Sequence, residues 1–338
     1  MRTPALLVAA LLMSGCISAL ATDKAGDPAT AQAPSGPGAG TPATHGTPQR
    51  TDSPVTVTVG PNGFVAAKDV TVANDFGGSP AARLKLSTQN GAVRAAAWPG
   101  GGYQLAAHLE GSGKTEQEAR AALDTLTVVN LDSLDTGLLD LALEVRFADL
   151  PAPVPTPVPI PSASVGTLQR SARLSAVLPA APTEDLRLET TNGAIGAEGL
   201  HGSRLAARTS NGAIHAAGAW DVADLRTTNG AIRLDGLFND LDADTTNGAI
   251  GGTIASQRTC KQTLQTTNGS VKLGVRDGGH GYKVEGSTTN GRVAIAVGGA
   301  QASGKDRQQA QTPGFDGAAV QVTLKAESTN GSIDLRSA

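Results

Sequence analysis

The side chains able to do chemistry in this chain are few and scattered. Asp235, Asp240, Asp242 and Asp244 fall within ten residues. Two carboxylates held at the right separation can cleave a glycosidic bond, and several together can ligate calcium. The spacing sets most of them at outward or corner positions of a regular repeat, where a carboxylate is ordinarily solvated. Only Trp98, Trp220, Tyr103, Tyr282 and five Phe are available to stack a sugar. A carbohydrate-active β-helix enzyme acting on an envelope or extracellular polysaccharide is therefore the second reading, behind a non-catalytic one. His45, His108, His201, His215 and His280 show no metal-ligand spacing, and no Ser-His-Asp or Cys-His grouping emerges, so no metal and no cofactor is expected. A formal net charge of −3 without a basic stripe gives no nucleic-acid footprint.

The two cysteines speak of address. Arg2, an apolar run from Ala5 to Met13 and then Ser14-Gly15-Cys16 form a lipoprotein signal in all but one position, Met13 standing where Leu is usual. Ala19-Leu20-Ala21 offers an ordinary secretory cleavage site as the competitor. Either way the product leaves the cytoplasm. With Cys16 lipidated, the protein is anchored to a membrane at the cell envelope, and Cys260 has no intrachain partner. Residues 17–53 read as a disordered tether, the stretch from Thr22 to Ser53 being almost entirely Ala, Thr, Pro, Gly, Ser and Gln with no apolar periodicity to bury. An envelope polymer or a surface protein is the partner class that such a placement suggests.

The elements that would position these groups are set by a repeat. Thr-Thr-Asn-Gly-Ala-Ile occurs verbatim at 190–195, 227–232 and 245–250, and Asn-Gly recurs at Asn90, Asn192, Asn211, Asn229, Asn247, Asn268, Asn290 and Asn330. From Asn192 the steps are 19, 18, 18, 21, 22 and 40, the last being two periods with one marker missing. A fixed period near 20 marks stacked supersecondary units. Counted from each Asn, position +3 is Val93, Ile195, Ile214, Ile232, Ile250, Val271, Val293 or Ile333, a β-branched column that belongs in a core. Positions −6 and −4 share its face, and −5 and −3 point outward. In-register stacking would set Glu189 beside Arg208 and Arg226 beside Asp244, each pair adding a few tenths of a kcal/mol.

Asn-Gly is also the strongest short hairpin signal, because both residues tolerate positive φ. Alternation alone fits a hairpin array as well as a solenoid. Column identity at a period long enough for two short strands and two corners favours a parallel β-solenoid with turns of about 20 residues, its corner Asn and Thr forming side-chain ladders.

Taken in order, residues 54–150 read as an N-terminal β region with one helix over 114–126, where Thr115 and Glu118 have capping-box spacing. Residues 151–166 are a Pro-rich connector, and 167–338 hold the solenoid repeats. A polar, Gly-rich loop at 298–317 accounts for the missing marker, and the stack ends near Leu335 without an evident C-terminal cap. Leu174-Ser-Ala-Val-Leu-Pro179, then Leu186 to Ile195, then repeated Thr-Thr-Asn-Gly units resemble the putative-adhesin β-strand repeat family of unknown function. The resemblance covers about 80–338 and extends to Trp98 and the Ala-rich helix. It implies a parallel β-solenoid on an exported, often envelope-linked protein, with no catalytic residues to carry over. An ice-binding surface is disfavoured, since adjacent Thr190 and Thr191 point to opposite faces.

Overall fold

The computed structural model describes residues 47–75, 81–99, 101–135, 138–148, 168–179 and 181–338. Expectations for Cys16, for residues 17–46 and for the connector at 151–166 lie outside these residues. The expected tether stops short of residue 53, because Gln49–Asp52 is a strand pairing antiparallel with Val70 to Ala73.

The chain folds as a β-solenoid in which each of the eight Asn-Gly pairs from Asn90 to Asn330 joins a leading strand to a following strand, whereas Asn62-Gly63 turns an antiparallel hairpin between Thr56–Gly60 and Gly63–Asn74. In the regular middle, Ile195–Asn211, Ile214–Asn229 and Ile232–Asn247 each run from one Asn-Gly corner to the next and pair parallel with one another along their length. Alternation of apolar and polar residues buries one face of every strand. The +3 column, from Val93 through Ile232 to Ile333, is at most 2% exposed throughout. One continuous core runs through the stack and includes residues from both sides of the connector. At the second corner Trp220 lies beside Phe238, both fully buried.

Stack order departs from chain order at both ends. At the N-terminal end Leu138–Phe147 pairs parallel with Ala81–Ser87, and Gln169–Pro179 pairs parallel with Val93–Trp98. Thr183–Glu189 and the strand starting at Ile195 take the other sides of the same two strands. The first repeat is thus enclosed by a later coil. Leu126–Asp135 then pairs antiparallel on the outside of Leu138–Phe147, and Tyr103–Gly113 and Gly63–Asn74 continue antiparallel beyond Gln169–Pro179. The helix Glu116–Asp124 carries the full capping box, with Thr115 Oγ1 accepting from the Glu118 amide and the Glu118 carboxylate accepting from the Thr115 amide. It sits directly on the strand Tyr103–Gly113. A Cβ at Gly111 would lie 2.4 Å from the Leu123 amide nitrogen, so glycine permits the contact.

At the other end the final coil does not terminate the stack. Gln321–Ser328 is inserted between Cys260–Thr266 and Gly281–Thr288, and Ile333–Ser337 between Val271–Val275 and Val293–Val297. The residues expected to form only a loop at 298–317 supply two strands, Ala300–Gly304 and Arg307–Gln311, which pair antiparallel on Val293–Val297 and Gly281–Thr288. They cap the C-terminal end. An open parallel edge would expose a row of unpaired backbone groups, and these two antiparallel strands cover it, one on each strand of the outermost coil.

Candidate functional site: the Asn-Gly edge

Along the edge where the Asn-Gly corners stack, the spatial order is Asn90, Asn192, Asn211, Asn229, Asn247, Asn268, Asn330, Asn290. From Asn211 onward each Asn Nδ2 donates to the Oδ1 of its predecessor in that order, at 2.7 Å for Asn211 to Asn192 and 2.8 Å at every later step. Asn90 donates instead to the carbonyl of Arg170. One position inward, the hydroxyl at −2 donates to the glycine carbonyl of the preceding coil: Thr209 to Gly193 at 3.0 Å, Thr227 to Gly212 and Thr245 to Gly230 at 2.9 Å, Thr266 to Gly248 at 2.8 Å. These bonds satisfy corner polar groups that the sheet ladder leaves over.

The corner glycines are there for proximity rather than for turn conformation. The only non-glycine residue with positive φ among the described residues is Asp306, and of the corner glycines only Gly91 has one, at 134°. A Cβ built on Gly212, Gly230, Gly248, Gly269 or Gly331 would lie 1.9 Å from the glycine carbonyl oxygen of the neighbouring coil. Positive φ at Asn-Gly, the property that makes the pair a hairpin signal, is not what this corner uses.

Position −1 points the opposite way. Thr191, Ser210, Thr228, Thr246, Thr267, Thr329 and Thr289 form an exposed hydroxyl column beside the Asn ladder. Each laddered Asn uses one of two N–H donors and one of two acceptor lone pairs within the ladder, so one of each remains per coil. The column borders a shallow cavity of about 620 Å³ that crosses several coils, from Thr88, Gln89 and Arg146 at one end to Asp244 and Thr246 at the other. Its second wall is the −3 row, Glu189, Arg208, Arg226 and Asp244.

Charges in that row pair differently from expectation. Glu189 does stand beside Arg208, and Arg226 beside Asp244. But Arg208 also stands beside Arg226, and the ion pairs run diagonally through the −5 residues: Arg208 to Asp224 at 2.9 Å, Arg226 to Asp224 at 2.9 Å and to Asp242 at 3.2 Å. Asp224, its side chain 15% exposed, sits between two guanidinium groups and relieves their repulsion. The Asp224 carboxylate first, then the hydrogen bond to Asp242, raise the Arg226 pKa above its ordinary value.

The four candidate aspartates are not brought together. Asp235 lies on a following strand, paired in register with Ala217 and Thr253, where Arg233 at 2.7 Å and His215 at 3.3 Å bind it. The Arg233 hydrogen bond in particular holds its carboxyl below the usual range. Asp240 accepts from the Lys261 amide at 3.1 Å. Asp242 and Asp244 lie on the leading strand. Among the described residues no three carboxylate, imidazole or thiol groups converge as metal ligands do. Cys260 is a buried free thiol whose pKa burial pushes up.

One constellation arises from pairing and not from local spacing. His108 Nδ1 lies 2.6 Å from Asp69 and Nε2 lies 3.0 Å from Glu110. Ser171 donates to the other Glu110 oxygen at 3.0 Å, and Arg173 approaches it at 3.8 Å. Burial is the largest single influence on His108 and disfavours its cation, yet the bonds to Asp69 and Glu110 outweigh it and raise the pKa. Burial likewise opposes Glu110, and His108 and Ser171 outweigh it, lowering that pKa. His108 and Glu110, two residues apart on one strand, share a face. Nothing local in the sequence marks Asp69 as their neighbour.

A family model described as Toastrack DUF4097 matches residues 158–336. No curated protein matches the chain. Among solved structures, the chain is similar to a putative cell adhesion protein from Clostridium sporogenes, at 9% identity and a TM-score of 0.36, over 86% of this chain and 100% of that one. It is similar also to a putative adhesin from Parabacteroides distasonis, at 8% identity and a TM-score of 0.37, over 81% of this chain and 98% of that one. A putative adhesin from Bacteroides fragilis gives 8% identity and a TM-score of 0.34, over 80% and 96%.

Proposed function

This chain belongs to the Toastrack DUF4097 family, and from that premise we propose that it is an exported, membrane-tethered adhesion or scaffold protein without catalytic activity. The observation that carries this reading is the edge itself. A rigid stack presents the same hydroxyl and amide groups at a constant step, held by an uninterrupted Asn ladder. Such a surface suits repeated contacts with an extended partner, and its groups are locked before any partner arrives, which lowers the ordering cost of binding. Catalysis would need groups converging on one reacting atom, whereas the charged residues of this edge pair with one another along the stack.

Membrane attachment rests on Ser14-Gly15-Cys16 followed, from Thr22, by a segment without apolar periodicity to bury. Lipid on Cys16 would hold the solenoid at the cell envelope, facing away from the cytoplasm, with residues 17–46 as spacer. Two measurements test the proposal. A Cys16→Ser variant is expected to move from the membrane fraction to the soluble fraction; retention in the membrane after processing elsewhere overturns the lipoprotein reading. The released full-length variant is expected to retain envelope polymer or surface protein from its own cells. Cleavage of that polymer would replace the binding reading with an enzymatic one.

A further inference from the structure

We propose that the groove along the Asn-Gly edge holds an extended, β-linked polysaccharide chain, laid parallel to the stack with about one sugar per coil. The inference rests on the adhesion or scaffold reading and names its site and ligand class.

The first observation is the free hydrogen-bonding capacity of the edge. Every coil from Asn192 to Asn247 lends the groove an exposed hydroxyl, Thr191, Ser210, Thr228 or Thr246 in turn, able both to donate and to accept. The second is independent and sits at the head of the groove. Thr88 is 6% exposed, lines the cavity, and its Oγ1 has no hydrogen-bond partner among the described residues. Its counterparts in later coils donate to a corner glycine of the coil before. Thr88 has none to use, because the adjoining coil of Leu138–Phe147 and Gln169–Pro179 carries no Asn-Gly corner. A buried hydroxyl without a partner is costly, and rotation of the Thr88 side chain toward the groove would let a ligand group satisfy it.

The spacing selects the ligand. Neighbouring coils are about 4.8 Å apart and an extended peptide advances about 3.3 Å per residue, so a peptide laid along the stack meets equivalent positions only about every third residue, with side chains on alternating faces. A pyranose in an extended β-linked chain advances by close to one coil step, and its hydroxyls donate and accept as the edge requires. The −3 row is mixed in sign, Glu189 and Asp244 flanking Arg208 and Arg226, so no single-sign field draws in a polyanion. Those charges also make the edge a poor match for an ice surface, whereas they can each bond a sugar hydroxyl.

The test is calorimetric titration of the full-length protein with cellohexaose, chitohexaose and maltohexaose. At least one of the two β-linked hexamers is expected to bind, and the coiled α-linked maltohexaose is expected to give no binding heat. The triple variant Ser210→Ala, Thr228→Val, Thr246→Val is expected to weaken binding at least tenfold with an unchanged melting temperature. Thr88→Val is a second probe: it should weaken binding about threefold or more without lowering the stability of the free protein. Absence of binding by both β-linked hexamers, equal binding of maltohexaose, or affinity indifferent to both variants overturns the proposal. If the triple variant still retains envelope material from cells, the adhesion or scaffold reading survives and this groove does not.

Discussion

At Gly230 the hydrogen that stands in place of a side chain faces the carbonyl oxygen of Gly212, and a Cβ there would lie 1.9 Å away. The obstacle is backbone of the next coil, so no rotamer change relieves it. Gly230→Ala is therefore expected to cost more than about 3 kcal/mol, in the range reserved for steric failures in a packed interior. Gly317→Ala, where a Cβ meets nothing within 4 Å, should stay within about 0.5 kcal/mol; denaturant melts of the two variants make the comparison. Equal costs would mean that coils do not approach as closely as the corner requires. The Asn ladder makes a second prediction at this scale. Asn211 and Asn229 are bonded to each other at 2.8 Å, so the double-mutant cycle of Asn211→Ala and Asn229→Ala should show coupling above about 0.5 kcal/mol. Strict additivity would leave each Asn acting alone. The need for glycine at this site was legible in the sequence, but its cause was not. Asn-Gly advertises positive φ, and only the stacked neighbour reveals that the constraint is the missing Cβ.

At the scale of elements, alternation and column identity were enough to place the core face, since a strand inverts every side chain if it slips by one residue. The capping box of the helix was equally plain, because its two bonds are local. What local pattern cannot carry is the partner of a strand, and there the candidate groups rearranged. Arg208 and Arg226 pair diagonally through Asp224, and His108 acquires Asp69 from a strand 39 residues away in sequence. The His108 cluster ties Gly63–Asn74, Tyr103–Gly113 and Gln169–Pro179 together, which gives the N-terminal end a pH dependence. His108 is raised above its ordinary 6.5, so its contribution is complete below 6.5 and is lost as pH rises through the folded value. Glu110 is lowered from 4.5, so its contribution is present above 4.5 and is lost as pH falls through the folded value. The cluster should thus stabilise most between those two limits. With the His108 side chain 36% exposed, the effect is expected to be under about 1 kcal/mol. Urea midpoints measured from pH 4 to 9 should lose their alkaline-side decline in His108→Gln; an unchanged profile would show that the imidazole is not held as a cation.

For the whole molecule, the informative departure is that chain order and stack order part company at both ends. Period and column composition identify a solenoid, but they treat every repeat alike, so they assign the last repeat in sequence to the last place in space. The structure instead draws the coil of Asn330 inward, between those of Asn268 and Asn290. That leaves the outermost places to hairpins that can turn back antiparallel, an arrangement a parallel coil cannot provide for itself. Arg307–Gln311 and Ala300–Gly304 close the C-terminal end, with Arg307 paired to Glu285 at 2.8 Å. Arg307–Gln311 carries mostly polar side chains, as edges that avoid self-association do. The physical role of residues 298–312 is then to terminate the sheet, and their removal has a specific consequence. Replacing them with a short Gly-Ser linker should leave the inner coils folded, because the Asn ladder and the +3 column do not depend on them. It should also uncover two parallel edge strands, Gly281–Thr288 and Val293–Val297, each with one apolar face already in register for another copy. Sedimentation velocity on the linker variant is expected to show concentration-dependent self-association while circular dichroism retains its β signal. A variant that stays monomeric at all concentrations, with an unchanged melting temperature, would deny the segment its role as a cap and leave it an ornament on an edge that needed no cover.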